Sequence, residues 1–184
     1  MTGESSPLAV TNIHVFRAIA EEAASEARRL LGASRRPKPD GEPGWIITFD
    51  PERKSFKQAL IAIAFAGMYL EALLGLAGTK RLGLQGYRKI ERMTYEEKLK
   101  RLGVEDEALL TNCKRFRDAR NELTHEKTYD TRSIRVAQEE CAHAIEVVEL
   151  VTTAVGAQNS ERPERGASST QSDWHFVFCG LGLS

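Results

Sequence analysis

The six residues Arg120-Asn121-Glu122-Leu123-Thr124-His125 combine an arginine and a histidine at a spacing that suits chemistry on an anion. A guanidinium offers forked donors that match two phosphate oxygens and stabilise charge that gathers there. An imidazole, with a pKa of about 6.5, takes up or releases a proton near neutral pH. Because RNA carries its own nucleophile, the ribose 2′-hydroxyl, such a pair indicates phosphodiester cleavage without a metal ion or a covalent residue.

The position of Arg120 on its predicted helix is unusual. An apolar stripe precedes it, formed by Leu109, Cys113 and Phe116. At about 100° per residue Arg120 falls within that stripe, where a guanidinium must be paired or must line a cavity that requires positive charge. In a continuous helix Arg120 and His125 are about 140° apart. We therefore expect the helix to end near Thr124, so that His125 can turn toward Arg120.

The elements that position this motif are predicted to be helical. No proline lies between Pro51 and Pro163, as a helical region requires. Periodicity, caps and stops predict helices at about 13–31, 55–77, 94–103, 105–124 and 130–155. The fold class is therefore all-α, a bundle of four to five helices within a single domain at 1–155. A Pro/Gly-rich loop spans 32–54, and the polar segment 156–184 is predicted to be a disordered tail.

The helix predicted at 55–77 is apolar almost all round, apart from Glu71. This pattern favours the central helix of a bundle, covered on every side by amphipathic neighbours. The alternative is a single membrane span at 59–78, in which Glu71 would be a costly charge. Because the other predicted helices are amphipathic and can bury it, we favour the bundle.

Composition excludes some classes of protein. The 184 residues include 41% hydrophobic and 28% charged, with no net charge, which is typical of a soluble globular domain. Residues 80–127 carry thirteen Lys and Arg against nine Asp and Glu, a local surplus around the motif that fits either an anionic ligand or a solvated face. The three cysteines form no CxxC motif or Cys/His cluster, so we expect neither a disulfide framework nor a zinc site. The N-terminus lacks the pattern of a secretory signal, which favours a cytoplasmic location.

The motif and its context resemble the HEPN superfamily. The resemblance rests on Arg120-x4-His125 near a helix end, on Asn121 directly after the arginine, and on the alanine-rich apolar helix that contains Glu71. It covers residues 55–155. It implies a helical bundle, often dimeric, with two Arg/His motifs close together, whose catalytic members are metal-independent endoribonucleases of toxin–antitoxin, defence and RNA-processing systems.

On that resemblance Arg120 and His125 are the catalytic pair. Asn121 and Thr124 are supporting polar residues, and Glu71 orients Arg120. The implied partners are RNA, a second copy of the chain, and an antitoxin or a nucleotidyltransferase; no cofactor, metal or membrane is implied. The alternative is a non-catalytic helical module that binds nucleotide, RNA or a partner protein, in which Arg120 forms a structural ion pair with Glu71 and His125 offsets the helix dipole.

Three further predictions concern residues outside the motif. Trp45 is expected to pack in the core or the loop rather than serve as a base-stacking platform, and the segment 45–49 is expected to form a short strand or to plug one end of the core. Glu140 is placed on a solvated face of the last helix, together with Glu139, Glu146 and Glu149. Cys113 and Cys141 are read as small core residues.

Overall fold

The computed structural model describes residues 12–48, 52–124 and 136–160. Within these ranges the chain forms five α-helices and one small β-hairpin, so the predicted all-α bundle is confirmed. The helices are α1 (Ile13–Ala33), α2 (Lys54–Arg88), α3 (Tyr95–Arg101), α4 (Glu107–Thr124) and α5 (Ala137–Ser160). The hairpin pairs β1 (Arg35–Pro37) with β2 (Trp45–Ile47) between α1 and α2.

Helix α1 packs along the N-terminal half of α2 through small side chains. Its buried face is mostly alanine: Ile13, Ala20, Ala23, Ala24 and Ala27. Alanine allows the two helix backbones to approach closely, and the Ser55 hydroxyl of α2 donates a hydrogen bond of 3.0 Å to the Ala27 carbonyl. Phe16 and Phe65 meet at the same interface, with ring centroids 6.2 Å apart.

The connection between α1 and α2 contains the antiparallel hairpin, with a short 3-10 turn at Pro39–Gly41 between its strands. The predicted strand is therefore present at Trp45–Ile47. The expectation that Trp45 packs in the core or the loop is wrong, because its side chain is 59% exposed. Trp45 pairs with Pro37 of β1, a strand that is exposed along its whole length, so the indole lies on the surface.

Helix α2 is the central helix of the bundle and contacts α1, α3, α4 and α5. Its fully buried residues include Ala59, Ala62, Ile63, Ala66 and Leu70. It runs beyond the predicted 55–77. Gly83 interrupts it with a positive φ of 70°, and a short helical segment then continues to Arg88. Among the described residues α2 is the one helix long and apolar enough to span a membrane, a property that it shares with core helices of soluble proteins.

Helices α3 and α4 begin at side-chain caps. The predicted capping box is confirmed: the Thr94 hydroxyl accepts a hydrogen bond from the Glu97 backbone N–H, and the Glu97 carboxylate accepts one from the Thr94 backbone N–H. The Asp106 carboxylate accepts hydrogen bonds from two backbone N–H groups in the first turn of α4. Helix α5 extends to Ser160, beyond the predicted end at 155. Its predicted start at 130 and the segment 161–184 lie outside the described residues.

Candidate functional site

Arg120 lies near the C-terminal end of α4 and crosses α2 at Gly67. Its side chain is half-buried, and Nη1 donates a hydrogen bond of 2.7 Å to the hydroxyl oxygen of Tyr95. A Cβ atom placed on Gly67 would lie 2.7 Å from Arg120 Nε and 2.9 Å from Cδ. The absence of a side chain at Gly67 therefore creates the space in which the guanidinium stem lies.

Tyr95 is the first residue of α3, directly after the capping residue Thr94. Its ring is buried and stacked on Phe116 of α4, with centroids 6.0 Å apart and ring planes 24° from parallel. Burial raises the pKa of the Tyr95 phenol to about 12, against the opposing effect of the Arg120 charge. The hydroxyl is therefore neutral at physiological pH, and it acts as a fixed acceptor for the guanidinium.

Glu71 lies on α2, one helical turn after Gly67. It forms an ion pair with Lys98 of α3, with 2.7 Å between Nζ and Oε2. The two partners differ in burial, since the Lys98 side chain is 2% exposed and the Glu71 side chain 46% exposed. Glu71 also lies close enough to Tyr95 to raise the pKa of that phenol. Among the described contacts Glu71 pairs with Lys98 and influences Tyr95, the hydrogen-bond partner of Arg120, and the predicted orientation of Arg120 by Glu71 stays a prediction.

The remaining predicted site residues are placed less fully. Asn121 is exposed on α4. Thr124 is the last described residue of that helix, so the predicted helix end lies at the edge of the described residues. His125 lies outside the described residues. The structure therefore brings Arg120 together with Gly67, Tyr95 and the Glu71–Lys98 pair.

Sequence reasoning missed Gly67, Tyr95 and Lys98. Each gave a weak signal: a glycine in an otherwise alanine-rich helix, an aromatic residue directly after a cap, and a lysine on a short helix with apolar neighbours. None of these signals names a partner, because the contacts join residues 25 to 53 positions apart in the chain (Arg120 with Tyr95 and with Gly67).

A second polar cluster lies between α4 and α5. Glu140 is buried and accepts a hydrogen bond of 3.0 Å from Arg115, so its predicted placement on a solvated face is wrong. His143 is also buried, with Nε2 3.3 Å from the Asn112 amide oxygen. The pairing with Arg115 makes burial of this carboxylate tolerable. The described ranges contain no group of three or more His, Cys, Asp and Glu side chains that could hold a metal ion.

The two cysteines in the described residues are buried, as predicted. Burial raises the pKa of the Cys113 thiol to about 12 and that of the Cys141 thiol to about 11. Such thiols are protonated at neutral pH and are poor nucleophiles or metal ligands. Their role is packing.

Comparison with known proteins gives no further guide to the site. No protein-family model, no curated protein and no solved structure matches the chain. The described residues form a five-helix bundle with a central apolar helix. Next to this helix, one arginine is held by a hydrogen bond to a buried tyrosine.

Proposed function

We propose that the chain is a metal-independent endoribonuclease of the HEPN type, in which Arg120 and His125 act on the phosphodiester. The observation that carries this proposal is the placement of Arg120. The glycine at position 67 leaves space for its side chain, and Tyr95 accepts a hydrogen bond from the half-buried guanidinium, five residues before His125 in the chain. A preorganised guanidinium stabilises developing negative charge more effectively than one that must be ordered during the reaction.

In the proposed reaction the ribose 2′-oxygen attacks the adjacent phosphorus, and the bond from phosphorus to the 5′-oxygen breaks. His125 accepts the proton of the 2′-hydroxyl, and the departing 5′-oxygen takes up a proton from solvent. Arg120 donates to the non-bridging oxygens, where charge increases in the transition state. Asn121 and Thr124 support the turn or the bound phosphate. The products are a 2′,3′-cyclic phosphate and a 5′-hydroxyl.

We also propose that the chain acts as a homodimer in the cytoplasm, paired through one face of α2. Three large apolar side chains on this face are exposed: Ile61 (38%), Met68 (41%) and Leu76 (40%). Their spacing of seven and eight residues places them along one stripe of the helix. An antitoxin or a nucleotidyltransferase partner would regulate such an enzyme.

The second candidate is a non-catalytic helical module that binds RNA, nucleotide or a partner protein. The hydrogen bond from Arg120 to the buried Tyr95 hydroxyl favours it, because that bond joins α3 to α4 without any ligand. Under this alternative the arginine is structural, and its loss lowers stability without removing an activity.

Cleavage in EDTA tests the two candidates. The wild type and the Arg120→Ala, Arg120→Lys and His125→Ala variants are incubated with RNA in EDTA, and product ends are determined. We expect cyclic phosphate ends from the wild type and a loss of at least 100-fold in both alanine variants, on the scale of removing one charge-stabilising or acid–base group. Lysine should restore little, because it lacks the forked donors.

Matched controls separate these effects from unfolding. His14→Ala and Arg101→Ala replace an exposed histidine and an exposed arginine elsewhere in the bundle, and both should leave cleavage unchanged. A substrate with 2′-deoxyribose at the cleaved position should resist the enzyme. Cleavage that persists in both Arg120→Ala and His125→Ala would disprove the assigned site. If the folded wild type does not cleave RNA after its partner has been removed, the result supports the non-catalytic binding module instead.

A further inference from the structure

The β-hairpin presents a tryptophan to solvent at the end of the bundle where α1 ends and α2 begins. Trp45 is 59% exposed, more than any other large hydrophobic residue in the described part of the chain. Trp is normally well covered in folded proteins, and a solvent-facing indole ring is a favourable surface for another flat group. The bundle does not use this ring for its own packing.

The hairpin that carries the indole also carries basic residues. In the antiparallel register Pro37 is opposite Trp45, and Arg35 lies two residues from Pro37, so these three residues share one face of the hairpin. All three β1 residues are exposed, including Arg36 on the other face. Lys38 pairs with Glu42 at 3.6 Å. Over residues 28–57 eight Lys and Arg stand against four Asp and Glu.

The hairpin face continues into a cleft between α1 and α5. The cleft has a volume of about 250 Å³, and Arg35 and Arg28 line it on the α1 side. Val136 and Gln138 line it from the start of α5, together with one acidic residue, Glu139. This volume is below the roughly 300–1,000 Å³ of sites that enclose whole small molecules. It is better suited to one unit of a longer ligand.

We propose that this surface, consisting of Arg28, Arg35, Pro37 and Trp45, binds a single strand of RNA outside the Arg120 site. A base stacks on the indole of Trp45, and the arginines contact backbone phosphates, the combination by which proteins hold single strands without reading their sequence. The choice of RNA as the polymer rests on the proposed function. The surface recognises a strand through base stacking and phosphate charge, which RNA and DNA share. It should therefore also bind single-stranded DNA, which the Arg120 site cannot cleave.

A single strand fits this surface better than a protein does. Among the side chains described on the hairpin face, the apolar groups are one indole and one proline, next to the charged Arg35, whereas protein interfaces have a core depleted in charge. An isolated aromatic ring flanked by guanidinium groups matches the alternation of base and phosphate along a strand.

Fluorescence tests the stacking directly. The chain has two tryptophans, Trp45 and Trp174, so Trp174→Phe leaves Trp45 as the single reporter. We expect its emission to be quenched when a 20-nucleotide oligo(dT) or RNA is added. By anisotropy of the labelled strand, Trp45→Ala should weaken binding roughly 5- to 150-fold, the range for loss of one stacked base, and Trp45→Phe should retain most of the affinity. Arg35→Ala should lower the slope of log K against log salt by about 0.7.

The control is Leu84→Ala, which truncates another exposed apolar side chain (55% exposed) outside the hairpin and should not change binding. The proposal fails if the wild type binds neither strand, if Trp45→Ala binds within two-fold of it, or if Trp45 emission is unchanged at saturation. It also fails if Trp45→Ala instead lowers the oligomeric mass, which would identify a protein interface. Binding of oligo(dT) is measured without cleavage, so loss of the proposed endoribonuclease activity would leave this result intact.

Discussion

Replacement of Gly67 by alanine should separate the position of Arg120 from the stability of the bundle. The new Cβ would lie 2.7 Å from Arg120 Nε, whereas ordinary contacts begin at 3.4 Å. The three atoms in conflict, Nε, Cδ and Cζ, all belong to a flexible side chain. We therefore expect the guanidinium to move by about 1 Å while the backbone remains, and a misplacement of that size costs about 100-fold in catalysis.

The stability of the same variant follows from two opposed terms. Alanine in a helix interior is favoured over glycine by about 1 kcal/mol. Loss of the hydrogen bond from the charged Arg120 to Tyr95 costs about 1.5–3 kcal/mol. The net change is a destabilisation of about 0.5–2 kcal/mol. When Arg120 is alanine the conflict is absent, so Gly67→Ala should then stabilise the bundle by about 1 kcal/mol.

Urea unfolding of the wild type, both single variants and the double variant measures this reversal, and RNA cleavage in EDTA is followed on the same samples. The expected coupling is about 1.5–3 kcal/mol. Gly156→Ala is the matched control, because a Cβ at that position in α5 meets nothing within 4 Å. It should stabilise the bundle slightly and leave cleavage unchanged. An equal effect of Gly67→Ala in both backgrounds would refute the packing argument, and full cleavage by Gly67→Ala would refute the catalytic one.

Two other predictions concern buried ionisable groups. Glu71→Gln leaves the charge of the buried Lys98 without its carboxylate and should cost about 3–5 kcal/mol, whereas Lys98→Met leaves a half-exposed Glu71 and should change the free energy of unfolding by less than about 1 kcal/mol; equal costs in urea titrations would contradict this. The pKa values of the Cys113 and Cys141 thiols are raised in the folded state, so above pH 9 the unfolded state loses protons that the folded state keeps. The stabilisation that these thiols contribute is therefore present below that pH and lost as the pH rises above it. Between pH 8 and 10 we expect a loss of about 1–1.5 kcal/mol per thiol, which should halve in Cys113→Ala if the Cys113 and Cys141 thiols are its source.

Much of the fold was predictable because its signals are local. The helix periodicities, the Thr94 capping box and the apolar helix around residues 59–70 act within a few turns of chain, and the structure confirms them. The errors arose where tertiary contacts decide. Glu140 follows a polar run on α5, but Arg115 of α4 pairs with it and makes its burial tolerable. Trp45 is apolar, but a three-residue strand places it away from the core.

For the site, only the unusual position of Arg120 was predictable from the sequence. An arginine on an apolar stripe had to have a partner, and the sequence offered Glu71, the one acid on the neighbouring apolar helix. In the structure Glu71 forms an ion pair with Lys98, and Arg120 donates a hydrogen bond to the neutral hydroxyl of Tyr95. Sequence patterning cannot distinguish these pairings, because the two acceptors lie on different neighbouring helices and only tertiary packing decides which of them reaches the guanidinium.

The position of Tyr95 is tied to the capping box. The reciprocal bonds of Thr94 and Glu97 fix the first turn of α3, and Tyr95 is the first residue in that turn. Its ring stacks on Phe116, one turn before Arg120 on α4, so the same aromatic contact that closes the core also brings the phenol oxygen to the guanidinium. A local capping signal thus positions a contact between residues 25 positions apart in the chain. This arrangement gives the Arg120 guanidinium a fixed, neutral hydrogen-bond acceptor on the apolar stripe of α4.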